Sequence, residues 1–350
     1  MKAIISILSV LVLSLITGCS NDDQIESQEE EITAIDCDVD QYLGELGCHL
    51  VTTCLVPITE MGLNTYLGFE GGLYGKGSNI RPSEHTQKGI AIANSIVPLD
   101  QSGNPDNANG KIVMASVGLS NSNFEFNEYL KLVAVDQTKD PLLTTVNSAI
   151  PGYSITDWIP ETNVKDPSAW DIVHDQYNSL DVSQEQVQVI WLKHTTRNSA
   201  FLGGFEKQMD TLTYLYKKLI PILMTEFPNL KMAYISSRTR AYSFDPATTD
   251  PEPYAYGSGF AVRNIVMGQI NGDTALNYDS QKGTVNAPWM SWGPYLWANG
   301  EPREDGFVWN CEDTKSDFMH PSNDFGSPKV AQLLFDFFTT DETSTIWYFE

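Results

Sequence analysis

Four short apolar runs, each too continuous to be one-sided, constrain this chain more than anything else in its sequence. Residues 111–117 (Lys-Ile-Val-Met-Ala-Ser-Val), 143–150, 187–192 (Val-Gln-Val-Ile-Trp-Leu) and 231–236 (Lys-Met-Ala-Tyr-Ile-Ser) read as strands buried on both faces. Stretches of helical periodicity follow them, at 123–135, about 169–180 and 204–227, with a terminal one at 327–338. In the longest, Leu212, Leu215, Leu219, Ile222 and Leu223 share one face, and Pro228 stops the helix. Doubly buried strands separated by helices specify an α/β fold, a three-layer α/β/α sandwich on a mostly parallel sheet. No repeat of 20 to 50 residues is visible, which excludes solenoids and propellers. Ligands of such sheets bind at the carboxyl ends of the strands. That rule singles out four exits: 118–120, Pro151 with Gly152, 193–198 and 236–238.

Composition sets outer bounds. The chain carries 45 acidic and 21 basic side chains, a formal charge of -24, which repels nucleic-acid backbones and anionic lipid surfaces. Nucleic acid is therefore not an expected partner. Residues 1–18 hold one lysine and an apolar run too short to span a bilayer, as a signal peptide does. The order Ile16-Thr17-Gly18-Cys19 resembles a bacterial lipobox, which implies cleavage before Cys19 and lipidation of its thiol. The rival reading is an ordinary secretory signal that happens to contain a cysteine. Residues 19–36 are acidic and lack aromatics, so they read as a tether; membrane association is expected through the lipid anchor only. Ser20-Asn21-Asp22-Asp23 resembles the export signals of surface lipoproteins, which implies a place on the cell envelope, at the outer membrane, with surface exposure as an expectation. Of the five cysteines, Cys37, Cys48, Cys54 and Cys311 remain for disulfides in that oxidising compartment, with three full pairings open. Zinc is the rival, but only His49 stands near them, so no metal is expected. Residues 37–110 form an N-terminal extension expected to pack on a catalytic domain at 111–350. Within that domain, 241–310 is rich in Pro, Gly, Trp and Tyr and reads as a cap-like insertion of helix plus long loops, serving either a cleft or a sheet edge.

Two separated segments carry chemistry. Val117-Gly118-Leu119-Ser120-Asn121 puts a serine on the turn from the first strand into a helix, where free amides face a developing oxyanion. Such a serine can equally be a plain helix cap. Far downstream, Asp317-Phe318-Met319-His320-Pro321 places a carboxylate three residues before a histidine on one tight turn. A serine needs a base, and a base needs a fixed tautomer; this turn supplies both.

Together these segments resemble the SGNH hydrolases, the GDSL-type esterases and lipases. The Gly-x-Ser block is matched by Gly118 and Ser120, with Leu119 where the family has aspartate, and the Asp-x-x-His block by Asp317 and His320. The resemblance spans about residues 111–338. It implies a flavodoxin-like sandwich, a Ser120 nucleophile, a His320 base oriented by Asp317, and no cofactor. It also implies an oxyanion hole from the amides of Ser120 and Gly152, the latter in Ala149-Ile150-Pro151-Gly152. The family's third block, Gly-x-Asn-Asp, is absent, so the second donor is Asn198 or Thr196. Segments 67–74, 77–82 and 253–260 resemble a bacterial lipoprotein subgroup of the same superfamily.

The expected activity is hydrolysis of acyl esters, acetyl or other short acyl groups on polysaccharide first and lipid esters second. The alternative is a surface binding protein on the same scaffold, with carbohydrate as the candidate ligand, that has lost activity. His194 and Arg238 leave strands and are candidate pocket residues; Arg238 suits an anionic group or an internal acid. Ser258, between Gly257 and Gly259, is a rival nucleophile without the elbow spacing. His85 and His174 read as structural.

Overall fold

The structure is a computed structural model that describes residues 32–349. The leader at 1–18, the lipidation candidate Cys19 and the tether up to residue 31 lie outside the described residues. The end of the expected tether does not behave as one. Thr33 and Ile35 exchange backbone hydrogen bonds with Thr65, and Ile35 packs against the core.

A two-stranded hairpin, β1 (Thr65–Tyr66) and β2 (Phe69–Glu70), and helix α1 (Ser83–Ala93) precede the main sheet. Then follow β3 (Ile112–Gly118), α2 (Ser120–Val135), β4 (Leu143–Asn147), α3 (Ala169–Asn178), β5 (Val187–Lys193), α4 (Phe205–Glu226) and β6 (Met232–Ile235). The chain closes with α5 (Tyr254–Ile270), β7 (Trp289–Trp292), α6 (Gly326–Thr340) and α7 (Thr345–Tyr348). The main sheet has five strands in the order β4-β3-β5-β6-β7, and every pairing is parallel.

The side-chain alternation along β3 shows why the runs are continuous. Val113, Ala115 and Val117 enter one core with α3, α4 and α5, while Ile112 and Met114 enter the other with α1, α2, α6 and α7. Both faces are covered, so no strand needs a polar side, and the molecule is the three-layer α/β/α sandwich expected.

Three details differ from the sequence reading. Helix α2 starts at Ser120 rather than 123, and β4 ends at Asn147 rather than 150. The stretch 241–310 is not a cap-like insertion. It supplies α5, which packs along α4, and β7, the fifth strand, and its Tyr256, Phe260, Trp289, Trp297 and Trp309 are fully buried. Its aromatics fill the core because α5 is enclosed on all sides and has no solvent face to keep polar. Residues 37–110 are bound into the same body. His85 of α1 stacks on Trp289 of β7 at 4.9 Å, and two disulfides, Cys37–Cys54 and Cys48–Cys311, select one of the three pairings. These bonds occupy the four thiols that a zinc site would need.

Candidate active site

The order β4-β3-β5 means that the chain leaves β3 and β5 in adjacent positions but returns on opposite faces, which opens a crevice between their carboxyl ends. A pocket of about 460 Å³ lies there, lined by the segments after β3, β4, β5 and β6.

Ser120 is the first residue of α2, two residues past the end of β3. This tight strand-to-helix passage requires a glycine at 118. A Cβ there would stand 2.3 Å from Ser122 Oγ and 2.5 Å from the Lys193 carbonyl, since Ser122 donates to that carbonyl at 2.9 Å and pulls the helix start onto β5. The amides of the first helical turn have no intrahelical acceptor and face the pocket end.

His320 reaches this serine from residues 313–322. The loop is tight. Lys315 donates its amide to the His320 carbonyl at 2.7 Å, Phe318 turns through a left-handed φ of 61°, and Ser322 donates to the Asp313 carbonyl at 2.7 Å. It is also tied outward, by Tyr242 N–H to the Phe318 carbonyl at 2.8 Å and by Asn121 Nδ2 to the Met319 carbonyl at 3.0 Å. In this setting Ser120 Oγ and His320 Nε2 are 2.7 Å apart, and His320 Nδ1 is 2.6 Å from Asp317 Oδ2. Asp317 Oδ1 accepts the amides of Met319 at 3.0 Å and His320 at 2.9 Å. Burial alone would raise the Asp317 carboxyl, but those two amides and the imidazole together hold it below the ordinary carboxylate range. Phe124 covers the imidazole edge-on, 5.8 Å between centroids.

The oxyanion candidates are placed unequally. Gly152 lines the pocket with a left-handed φ of 81°, and among the described residues its amide meets no protein acceptor while its carbonyl accepts from Arg197 at 3.1 Å. Asn198 lines the pocket at a left-handed φ of 54° and is exposed. Thr196 is buried, and its Oγ1 already lies 3.2 Å from Ser199 Oγ.

Arg238 lines the pocket, as expected, but His194 does not. Thr195 and Thr196, beyond the end of β5, line the pocket, while His194 is enclosed in the core. It sits edge-on to Trp158 at 5.5 Å with neither ring nitrogen bonded, and burial, assisted by the Arg238 charge, lowers its pKa to about 3. The rival Ser258 is buried inside α5, donating to the Ala255 carbonyl at 2.6 Å and accepting the Arg238 amide at 2.9 Å. His174 of α3 lies outside the pocket lining and pairs with Glu226 of α4 at 2.8 Å. Sequence reasoning missed Asp250, which lines the same pocket, accepts from Ser199 Oγ at 2.6 Å and stands 3.3 Å from Arg238 Nε. It lies in the Pro-rich stretch 246–253, where no motif marks it.

No family model and no curated protein matches the chain, whereas nine chains of known structure do. One is a protein from Arabidopsis thaliana, at 11% identity and a TM-score of 0.32 over 62% of this chain and 67% of that one. A second is a family two carbohydrate esterase from Clostridium thermocellum in complex with cellohexaose, at 12% identity and a TM-score of 0.36 over 67% and 64%. A third is a gut microbial diltiazem-metabolizing enzyme, at 12% identity and a TM-score of 0.33 over 70% and 48%. The chain thus spans less than two thirds of the length of the second and third.

Proposed function

We propose that this chain is a serine hydrolase that cleaves carboxylic esters through an acyl-enzyme. The observation that carries the reading is the unbroken hydrogen-bond relay from Ser120 Oγ through His320 to Asp317, 2.7 and 2.6 Å, at the mouth of a pocket. Its roles follow from elementary chemistry. Asp317 accepts from Nδ1, which leaves Nε2 with a lone pair facing the serine hydroxyl. Nε2 takes the hydroxyl proton as Oγ adds to the ester carbonyl, and the carbonyl oxygen gains the negative charge. The free amides at the start of α2 and the unpaired Gly152 amide are the donors placed to receive it. The imidazolium then protonates the leaving alcohol, and the acyl group stays on Oγ. Water attacks next, gives its proton to Nε2 and releases the acid, restoring Ser120.

The test is turnover of 4-nitrophenyl acetate and acetyl-xylan by the purified protein beside Ser120→Ala and His320→Ala. Each substitution is expected to lower kcat by about 10³-fold or more with the fold intact by circular dichroism. Equal rates in all three proteins would leave a binding protein on this scaffold as the surviving reading.

A further inference from the structure

The pocket beside Ser120 is basic in a molecule that is otherwise strongly acidic. Acidic side chains outnumber basic ones 45 to 21 over the whole chain, yet the charged residues lining this pocket, His320 aside, are Arg197, Arg238 and Asp250. Two lysines stand over aromatic rings of the same lining. Lys165 Nζ lies 4.4 Å from the centroid of Tyr153, and Lys315 Nζ 3.6 Å from that of Phe124. Held on rings, these ammonium groups stay beside the mouth instead of reaching out to distant acids.

The nearby carboxylates are already committed. Asp157 accepts from Arg197 at 2.5 Å and from the Ser154 amide at 2.7 Å; Asp317 serves His320; Asp250 accepts from Ser199 through Oδ1 and turns Oδ2 toward Arg238. Glu125 is enclosed with Lys193 in a pair of their own, both fully buried at 2.7 Å. Arg238 is the exception. Only 3% exposed, it forms an ion pair with Asp250 Oδ2 at 3.3 Å outside hydrogen-bond geometry, which leaves its Nε and Nη1 and the Asp250 Oδ2 without hydrogen bonds. A guanidinium buried with unspent donors is costly unless something else completes its bonds, and a planar carboxylate fits its fork. What is reachable of Arg238 faces the cavity that holds Ser120.

We infer that the preferred substrates are esters that carry a carboxylate, bound by Arg238 at the pocket floor within the collar of Arg197, Lys165 and Lys315. The inference rests on the esterase reading and narrows its substrate class. The carboxylate has two possible sources, the acyl chain of a dicarboxylic half-ester or a uronate on the alcohol side of an acylated acidic glycan. A cavity of about 460 Å³ admits a six-carbon acyl chain, so both are testable.

The experiment compares kcat/KM in matched pairs: 4-nitrophenyl hydrogen adipate against 4-nitrophenyl hexanoate, and acetylated polygalacturonate against acetyl-xylan. At least one charged-to-neutral ratio is expected to exceed about tenfold, the scale of one hydrogen-bonded charge pair. The pair that shows it identifies the source. That ratio is expected to fall at least about fivefold in Arg238→Gln, and to fall in wild type as salt screens the collar. Should Arg238→Gln fail to fold, Arg197→Gln, whose side chain is 41% exposed, carries the same expectation more weakly. Neutral esters turned over as fast as charged ones, or ratios unmoved by salt and by both variants, overturn the inference and leave the esterase reading standing. No turnover of any of the four esters would instead overturn the reading beneath it.

Discussion

Asp317 decides which nitrogen of His320 faces Ser120. Its Oδ1 is engaged by two amides and its Oδ2 by the imidazole, so the carboxylate offers only acceptors to Nδ1. An asparagine would keep the amide contacts through its oxygen and present an NH₂ group to Nδ1. The ring would then carry its hydrogen on Nε2, where it cannot take the proton of Ser120. Asp317→Asn is therefore expected to lower kcat by about 10²–10⁴-fold while KM changes little, because no pocket contact is removed. A KM effect without loss of kcat would show that the carboxylate shapes the pocket and does not set the tautomer. Ser120 and His320 were readable from the sequence because the chemistry ties each to a short local pattern. The unspent donors of Arg238 and the inward turn of His194 were not. Both depend on which side of a strand exit faces the crevice, and spacing along the chain does not record that.

At the scale of elements, the 313–322 loop gains its position from outside itself. Cys311 at its base is bonded to Cys48, and Gly47 lies against the Phe318 ring, where a Cβ would meet the ring at 3.5 Å. Tyr242 N–H fixes the Phe318 carbonyl from a third segment. The Cys37–Cys54 bond closes the loop that carries Gly47 and Cys48, but the Cys48–Cys311 bond holds that loop to 313–322 without it. Paired replacement of Cys48 and Cys311 by alanine is expected to lower kcat/KM at least about tenfold in protein that remains folded, since ångström-scale misplacement of a base costs up to about 10²-fold. The same replacement at Cys37 and Cys54 should change kcat/KM by less than about twofold. Equal effects on activity from the two pairs would argue against the positioning role. The elements themselves were legible to different degrees. Runs such as 187–192 announced β5 because five-strand parallel sheets bury both faces of their central strands. Strand β7 was missed because its Trp-Met-Ser-Trp is four residues long, and the helix expected within 241–310 could not be placed because one largely buried all round shows no 3.6-residue stripe.

Taken as a whole, the molecule encloses several titratable groups whose protonation shifts its stability in opposite directions. His85 is packed between Trp289 and the Met290 carbonyl, and burial lowers its pKa from 6.5 to about 4. His194, with no partner on either nitrogen, falls from 6.5 to about 3 by burial and the Arg238 charge. The unfolded chain takes up a proton near pH 6.5 at both positions and the folded chain does not. The stability these neutral rings provide is present above pH 6.5 and is lost as the pH falls toward 4. Glu252 works the other way. Burial raises its carboxyl from 4.5 to about 7, against the pull of its hydrogen bonds from Trp297 Nε1, Tyr256 N–H and Ala241 N–H. Its contribution is full below pH 4.5 and is lost as the pH rises through 7. Between pH 7 and pH 5 each histidine costs about 2 kcal/mol and Glu252 returns about 2, so these three groups leave a net loss of about 1–2 kcal/mol. Urea unfolding at the two pH values separates the terms. His85→Gln should shrink the loss of stability on acidification by about 2 kcal/mol, and Glu252→Gln should enlarge it by a similar amount. Both variants will be less stable than wild type at pH 7, His85→Gln through lost packing and Glu252→Gln because its amide NH₂ meets N–H donors. The diagnostic quantity is therefore the opposite sign of the two changes in pH slope relative to wild type, which a general loss of packing cannot produce.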